Sequence, residues 1–198
     1  MNVAATLSEV FAPELFVLVV TVTVAGYELI GSGFSSRSLA GRIAAVLTAW
    51  GLAFAVYQGG PTIVSTSVPG GEDFFASIGL IVGFVVIWLA WDQGGWGEVL
   101  PLYCLLLIGT SVVHILVVPL WDVSSHVTYA AVSTGFLVFV DRRFVVSLLI
   151  PVGLVWSRIA IDAHSVVESV GGLVFAAVVV AVAMSIGKVP QNQARISK

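Results

Sequence analysis

The sequence predicts an all-α fold, a polytopic membrane bundle of about seven transmembrane helices with the N-terminus outside and the C-terminus inside. Three observations carry this. First, of 198 residues 59% are apolar and only 10% charged, whereas globular domains carry roughly 25% charged residues; the mean hydropathy is +1.08, and such a chain cannot cover a water-facing surface. Second, the apolar residues fall into seven runs near the roughly 20 residues that a helix needs to cross a bilayer. Third, seven of the eight basic residues lie at the ends of these runs that share one side. The net charge of −3 argues against a nucleic-acid partner. The single cysteine, Cys104, excludes an intramolecular disulfide and a cysteine-based metal site.

Taken in order, the N-terminal stretch carries Glu9 and Glu14 but no Lys or Arg. A secretory signal would open with positive charge, so the first apolar run reads as a retained span. That span is Pro13 to Ile30, with Pro13 suited to a first helical turn, and Gly31 to Arg37 breaks it. The second span is about Leu39 to Tyr57, followed by the longest polar loop, Gly59 to Asp73. The third is Phe74 to Trp91, with Trp88 and Trp91 placed as interfacial anchors. The fourth is about Val99 to Leu120, and a short polar step, Trp121 to His126, leads into the fifth, which ends at Val140. Asp141-Arg142-Arg143 is a tight turn. The sixth span is Phe144 to about Ile161, with Pro151 expected to kink its middle. The seventh is about Ser165 to Ile186, and the tail Lys188 to Lys198 is polar and basic. These spans and short loops form one integral membrane domain over residues 1–198.

Orientation follows from Lys and Arg. Arg37 and Arg42 follow the first span, Arg142 and Arg143 the fifth, and Lys188, Arg195 and Lys198 the seventh. With seven spans these places share one side, which the positive-inside rule makes cytoplasmic. Six spans would scatter them over both faces. The expected location is therefore the cell membrane, multi-pass.

Arg158 is the exception, since it falls at the outer end of the sixth span. His126 precedes Asp141 by 15 residues, and Arg143 precedes Arg158 by 15. At 1.5 Å per residue both stand about 22 Å above the same cytoplasmic turn, so His126 and Arg158 should meet near the outer surface. His164 lies on that side as well, and Glu168 follows it at i+4, on the same helical face. Ser124, Ser125 and Ser157 add donors. Ionisable groups within an apolar chain are costly and point to function. A guanidinium fork matches phosphate oxygens. A histidine held by a carboxylate has its tautomer set and its other nitrogen free to attack, and a second histidine can protonate a leaving alkoxide. Arg158, His164 with Glu168, and His126 together suit phosphoryl transfer through a phosphohistidine.

The stretch Ser157-Arg158-x5-His164-x3-Glu168-x-x-Gly171-Gly172 resembles the third signature of the type 2 phosphatidic acid phosphatase superfamily, Ser-Arg-x5-His-x3-Asp. Val123-Ser124-Ser125-His126 resembles its second signature, Pro-Ser-Gly-His. The resemblance spans about Asp122 to Gly172, within a phosphatase-like core of about residues 99–187. It implies His164 as the nucleophile, Glu168 as its orienting carboxylate, His126 as the general acid, and Arg158, Ser124 and Ser125 as the phosphate cradle. It requires no metal or other cofactor, and the active site faces the extracytoplasmic side. The implied activity is hydrolysis of a lipid phosphate or a polyprenyl pyrophosphate, the partners being that lipid and the bilayer.

Three features depart from the family pattern. Glu168 stands where the family has Asp, Val123 and Ser125 stand where it has Pro and Gly, and its first signature, Lys-x6-Arg-Pro, is missing. Val118 and Ser111 occupy the Arg and Lys positions before Pro119. Losing two cations removes transition-state stabilisation. His114, in the last turns of the fourth span, is a possible auxiliary group, as is Ser157. A catalytically degraded relative that binds a lipid phosphate or acts as a scaffold is therefore the alternative reading. Asp122 reads as a loop or cap residue able to orient His126, Asp162 as a cap or water-facing residue, and Cys104 as packing. Rhomboid-like proteolysis lacks a Gly-x-Ser-Gly element between His126 and His164, and a retinal protein would need a lysine inside the seventh span.

Overall fold

The computed structural model describes residues 2–32, 35–64 and 71–186. Within them the chain is helical and contains no strand: α1 (Val3–Val10), α2 (Pro13–Ser32), α3 (Ser36–Ile63), α4 (Gly71–Gly94), α5 (Val99–Val117), α6 (Ser125–Val140), a 3₁₀ segment (Arg142–Leu148), α7 (Leu149–Ala160) and α8 (Val166–Ile186). The tail Lys188 to Lys198 and the centre of the Gly59 to Asp73 loop lie outside the described residues.

Among the described residues, six helical stretches are long and apolar enough to cross a membrane: Pro13–Ser32, Ser36–Ile63, Asp73–Gly94, Val99–Val117, Arg142–Ala160 and Val166–Ser185. The remaining apolar helix, α6, has 16 residues. At 1.5 Å per residue it is about 24 Å long, short of a hydrocarbon core of about 30 Å. Its shortness has a packing counterpart. Ten of its residues are buried, from Ser125 through Leu137, because α2, α5, α7 and α8 surround it. A helix apolar on all sides belongs inside a bundle. Around it, large apolar side chains such as Leu47, Phe54, Val178 and Val182 point outward, a surface suited to lipid and not to water.

Close packing is set by small residues. On α4 a side chain at Gly79 would come within 2.5 Å of the Ala53 carbonyl oxygen, and one at Gly83 within 3.2 Å of the Ala49 oxygen. This Gly-x3-Gly stripe lets α3 and α4 approach closely, the usual device where lipid removes the hydrophobic incentive to pack. Gly60 similarly receives the Phe75 ring, and α3 runs on to Ile63 instead of ending near Tyr57.

Two further details differ from expectation. Pro151 does not stand at the centre of one continuous α-helix. Residues 142–148 form the 3₁₀ segment and the α-helix begins only at Leu149, so Pro151 falls in the first turn of α7, where a missing N–H is tolerated. The N-terminal stretch also forms a helix, α1. Asn2 caps it, its Oδ1 accepting from the Ala4 N–H at 3.1 Å, and α1 packs along α7.

At one end of the bundle lies a buried charged cluster. Glu28, 3% exposed, closes the start of α5: its carboxylate accepts from the Val99 N–H at 2.6 Å, the Leu100 N–H at 3.3 Å and Trp91 Nε1 at 2.9 Å. Arg42, also 3% exposed, donates to the carbonyl oxygens of Ala25 (3.0 Å) and Trp96 (2.7 Å) and to Ser32 Oγ (3.3 Å). Its guanidinium lies over the Trp91 and Trp96 rings. Arg42 is thus a packing element as well as a basic residue at a span end.

Candidate functional site

The opposite end of the bundle gathers the starts of α4, α6 and α8 and the ends of α5 and α7. The turn from α7 to α8 is built locally. Asp162 adopts a left-handed conformation (φ 54°) and ends α7; the Ala163 and His164 N–H groups both return to the Arg158 carbonyl, at 3.0 and 3.3 Å. Ser165 then starts α8 as one half of a capping box. Glu168 Oε2 accepts from the Ser165 N–H at 2.7 Å, and the Glu168 N–H donates to Ser165 Oγ at 3.3 Å.

His164 sits in this turn with its side chain 7% exposed. Its Nδ1 makes no hydrogen bond, standing 3.8 Å from Glu168 Oε2 and 3.9 Å from Asp122 Oδ2. Glu168 is therefore near His164, as the i+4 spacing predicts, but its carboxylate is engaged by the helix cap.

His126 occupies the first turn of α6, with Nδ1 buried and without a partner. Arg158 and His164 both lie within electrostatic range of it. Arg158 is in the last turn of α7. Its Nη1 donates to Ser8 Oγ of α1 at 2.7 Å, while its Nε is buried without an acceptor. The Ser157 hydroxyl is turned away from the cluster and donates to the Ala4 carbonyl at 2.6 Å. Ser124 is fully buried and its Oγ has no partner; Ser125 is buried at the start of α6.

The start of α6 meets the start of α8 closely. The Ser124 N–H points to the Glu168 carbonyl at 3.4 Å. A side chain at Gly172 would come within 3.0 Å of Thr128 Oγ1 and 3.1 Å of the Ser124 oxygen, and one at Gly171 would strike the Trp121 ring. The glycine pair thus brings the two signature-bearing turns together.

His114 lies in the last turns of α5, 1% exposed. Its Nδ1 meets Ser77 Oγ at 3.3 Å; that hydroxyl is 3.3 Å from the Tyr129 hydroxyl, which in turn bonds Ser111 Oγ at 2.9 Å. His114 Nε2 has no partner of good geometry, and the Val123 backbone lies beside it. Asp73 and Asp122 are within electrostatic range of both His114 and Arg158.

Sequence reasoning placed the loop that ends at Asp73 on this side but did not assign Ser8, Ser77 or Tyr129 to it. Tyr129 was legible in principle, one turn after His126 on the same helix; Ser8 carried no signal, since its place depends on how α1 docks. Buried polar atoms without partners are rare in folded proteins. Among the described residues, those without a partner at this end are His114 Nε2, Ser124 Oγ, His126 Nδ1, Thr128 Oγ1, Arg158 Nε, His164 Nδ1 and Ser169 Oγ. Chemically, the group offers several donors, two carboxylates close to one histidine, and a second histidine near a guanidinium. Such a set can hold an oxyanion and move a proton.

The helices and their apolar surface define a multi-pass helical membrane protein. No protein-family model, curated protein or solved structure matches the chain.

Proposed function

We propose that this chain is an integral membrane phosphatase, a divergent relative of the type 2 phosphatidic acid phosphatase superfamily. It hydrolyses a lipid phosphate or polyprenyl pyrophosphate at the extracytoplasmic face. The observation that carries the reading is the set of buried polar atoms on His114, Ser124, His126 and Arg158 that lack a partner among the described residues and lie with His164 at one end of the bundle. A phosphate group supplies acceptors for such donors. In the proposed topology α6 is a seventh, recessed crossing, the N-terminus is outside, and Arg37, Arg142 and Arg143 mark the cytoplasmic side.

In the reaction, Nε2 of His164 attacks phosphorus and the bond to the leaving lipid oxygen breaks, with His126 donating the proton that oxygen needs. Water then attacks the phosphohistidine, His126 takes its proton, and phosphate leaves with His164 restored. Arg158, Ser124 and the backbone at Ser125 hold the non-bridging oxygens. The test is phosphate release by the purified protein from phosphatidic acid, phosphatidylglycerophosphate and polyprenyl pyrophosphate. His164→Ala should abolish release, and acid-labile phosphate should be trapped on wild-type His164. Wild-type turnover by His164→Ala would rule out the nucleophile.

The second reading is a lipid-phosphate binder or scaffold without turnover. The absent Lys-x6-Arg-Pro signature favours it, as does the capping-box engagement of Glu168. Binding across the same panel with neither release nor phosphohistidine would select it.

A further inference from the structure

We infer that Asp122, at the step between α5 and α6, is the carboxylate that positions His164, and that Glu168 serves chiefly as the cap of α8. This rests on the phosphatase reading for its chemistry but not for its geometry. The two carboxylates flank the same ring nitrogen at nearly equal distance, Asp122 Oδ2 at 3.9 Å and Glu168 Oε2 at 3.8 Å from His164 Nδ1. They are not equally free. The Glu168 oxygen facing His164 is the one that accepts from the Ser165 N–H at 2.7 Å. Drawing it to the imidazole would open the capping box and release an N–H at the start of α8.

Among the described residues no hydrogen bond competes for the Asp122 carboxylate. Its side chain is 62% exposed, so it can rotate by the roughly 1 Å that separates this distance from a hydrogen bond of about 2.8 Å. His114 and Arg158 lie within electrostatic range of Asp122, His114 and His126 lie within range of His164, and Asp73 faces His114 and Arg158 from α4. An Asp122 carboxylate on Nδ1–H leaves Nε2, on the far edge of the ring, as the nucleophile. The arrangement also accounts for the glutamate in the later motif. A Ser-x-x-Glu capping box uses the longer side chain, and the shorter carboxylate arrives from another part of the chain.

The chain has three histidines, His114, His126 and His164, so ring-¹⁵N spectra of the full-length protein in nanodiscs are assignable from single His→Gln variants. At about pH 8, where an ordinary imidazole is neutral, wild-type His164 should hold mainly the Nδ1–H tautomer. Asp122→Asn should lower the ratio of Nδ1–H to Nε2–H forms at least about threefold, Asp122→Glu should restore it, and Glu168→Gln, which can still cap α8, should change it less. A His164 ratio unmoved by Asp122→Asn, or moved more by Glu168→Gln, overturns the assignment. Phosphate release measured on the same samples separates the two claims: the expected tautomer changes without any release sink the phosphatase and keep the pairing. Release with an unmoved tautomer does the reverse.

Discussion

Arg158 of α7 donates to the hydroxyl of Ser8 in α1 at 2.7 Å, joining residues 150 apart in sequence at the edge of the candidate site. With the Ser157 hydroxyl on the Ala4 carbonyl, this bond docks α1 onto α7. A hydrogen bond to a charged group contributes about 1.5–3 kcal/mol. Ser8→Ala should therefore loosen α1 selectively. Amide hydrogen exchange should rise across Val3–Val10 while α6 and α8 keep their protection. Unchanged exchange in α1 would mean that apolar packing alone holds it.

The buried Glu28 cluster should be the most sensitive point for stability. Glu28→Ala removes the acceptor of the Val99 and Leu100 N–H groups and of Trp91 Nε1, and each buried donor left unsatisfied costs about 1–3 kcal/mol. Gly97 stands at φ 142° with the Glu28 carboxylate packed against it, so a side chain at that position would strike the carboxylate. Thermal unfolding in detergent should show a large drop for Glu28→Ala and a smaller one for Glu28→Gln, which still accepts from the Val99 and Leu100 N–H groups. Equal drops would show that charge, and not capping, is what matters.

Gly172 should tolerate no branched residue. Its position lies against Thr128 Oγ1 and the Ser124 oxygen, and overpacking of this kind costs about 1–3 kcal/mol. Gly172→Val should push α8 from α6 and separate His164 from His126. The measurement is phosphate release together with a spin-label distance between the two turns. A variant with wild-type activity and spacing would show that the glycine pair is incidental.

Tyr129→Phe should disturb the buried network without touching the proposed nucleophile. It strips Ser111 of its Tyr129 partner and leaves Ser77 with His114 Nδ1, and leaving a buried hydroxyl unsatisfied costs about 1–3 kcal/mol. Lower thermal stability is expected, with phosphohistidine still forming on His164. If phosphohistidine vanishes in a folded Tyr129→Phe protein, the network belongs to the chemistry.

The limits of the apolar helices were readable from the chain because burial in lipid demands long apolar runs with polar breaks, and each break from Gly31 to Ser165 lies close to a helix end. The neighbourhood of His126, Arg158 and His164 was readable for a related reason: equal lengths of helix on either side of a tight turn carry His126 and Arg158 to the same depth. What such counting cannot supply is the direction of side chains and the competition for them. The Ser165-x-x-Glu168 pattern is local and was open to recognition as a cap, yet only the folded turn set its 2.7 Å bond against the 3.8 Å approach to His164. Arg42 read as a basic residue at a span end; the packing of α2, α4 and α5 around it made it a buried hydrogen-bond donor. The docking of α1, and the approach of Asp122 to His164 where the sequence suggested His126, depended on tertiary structure. Sequence by itself determined that this protein is a helical membrane bundle and which ionisable groups share one end of it. The tertiary structure decided which partner each group takes, because a buried donor or carboxylate commits to whichever neighbour the packing brings within bonding distance.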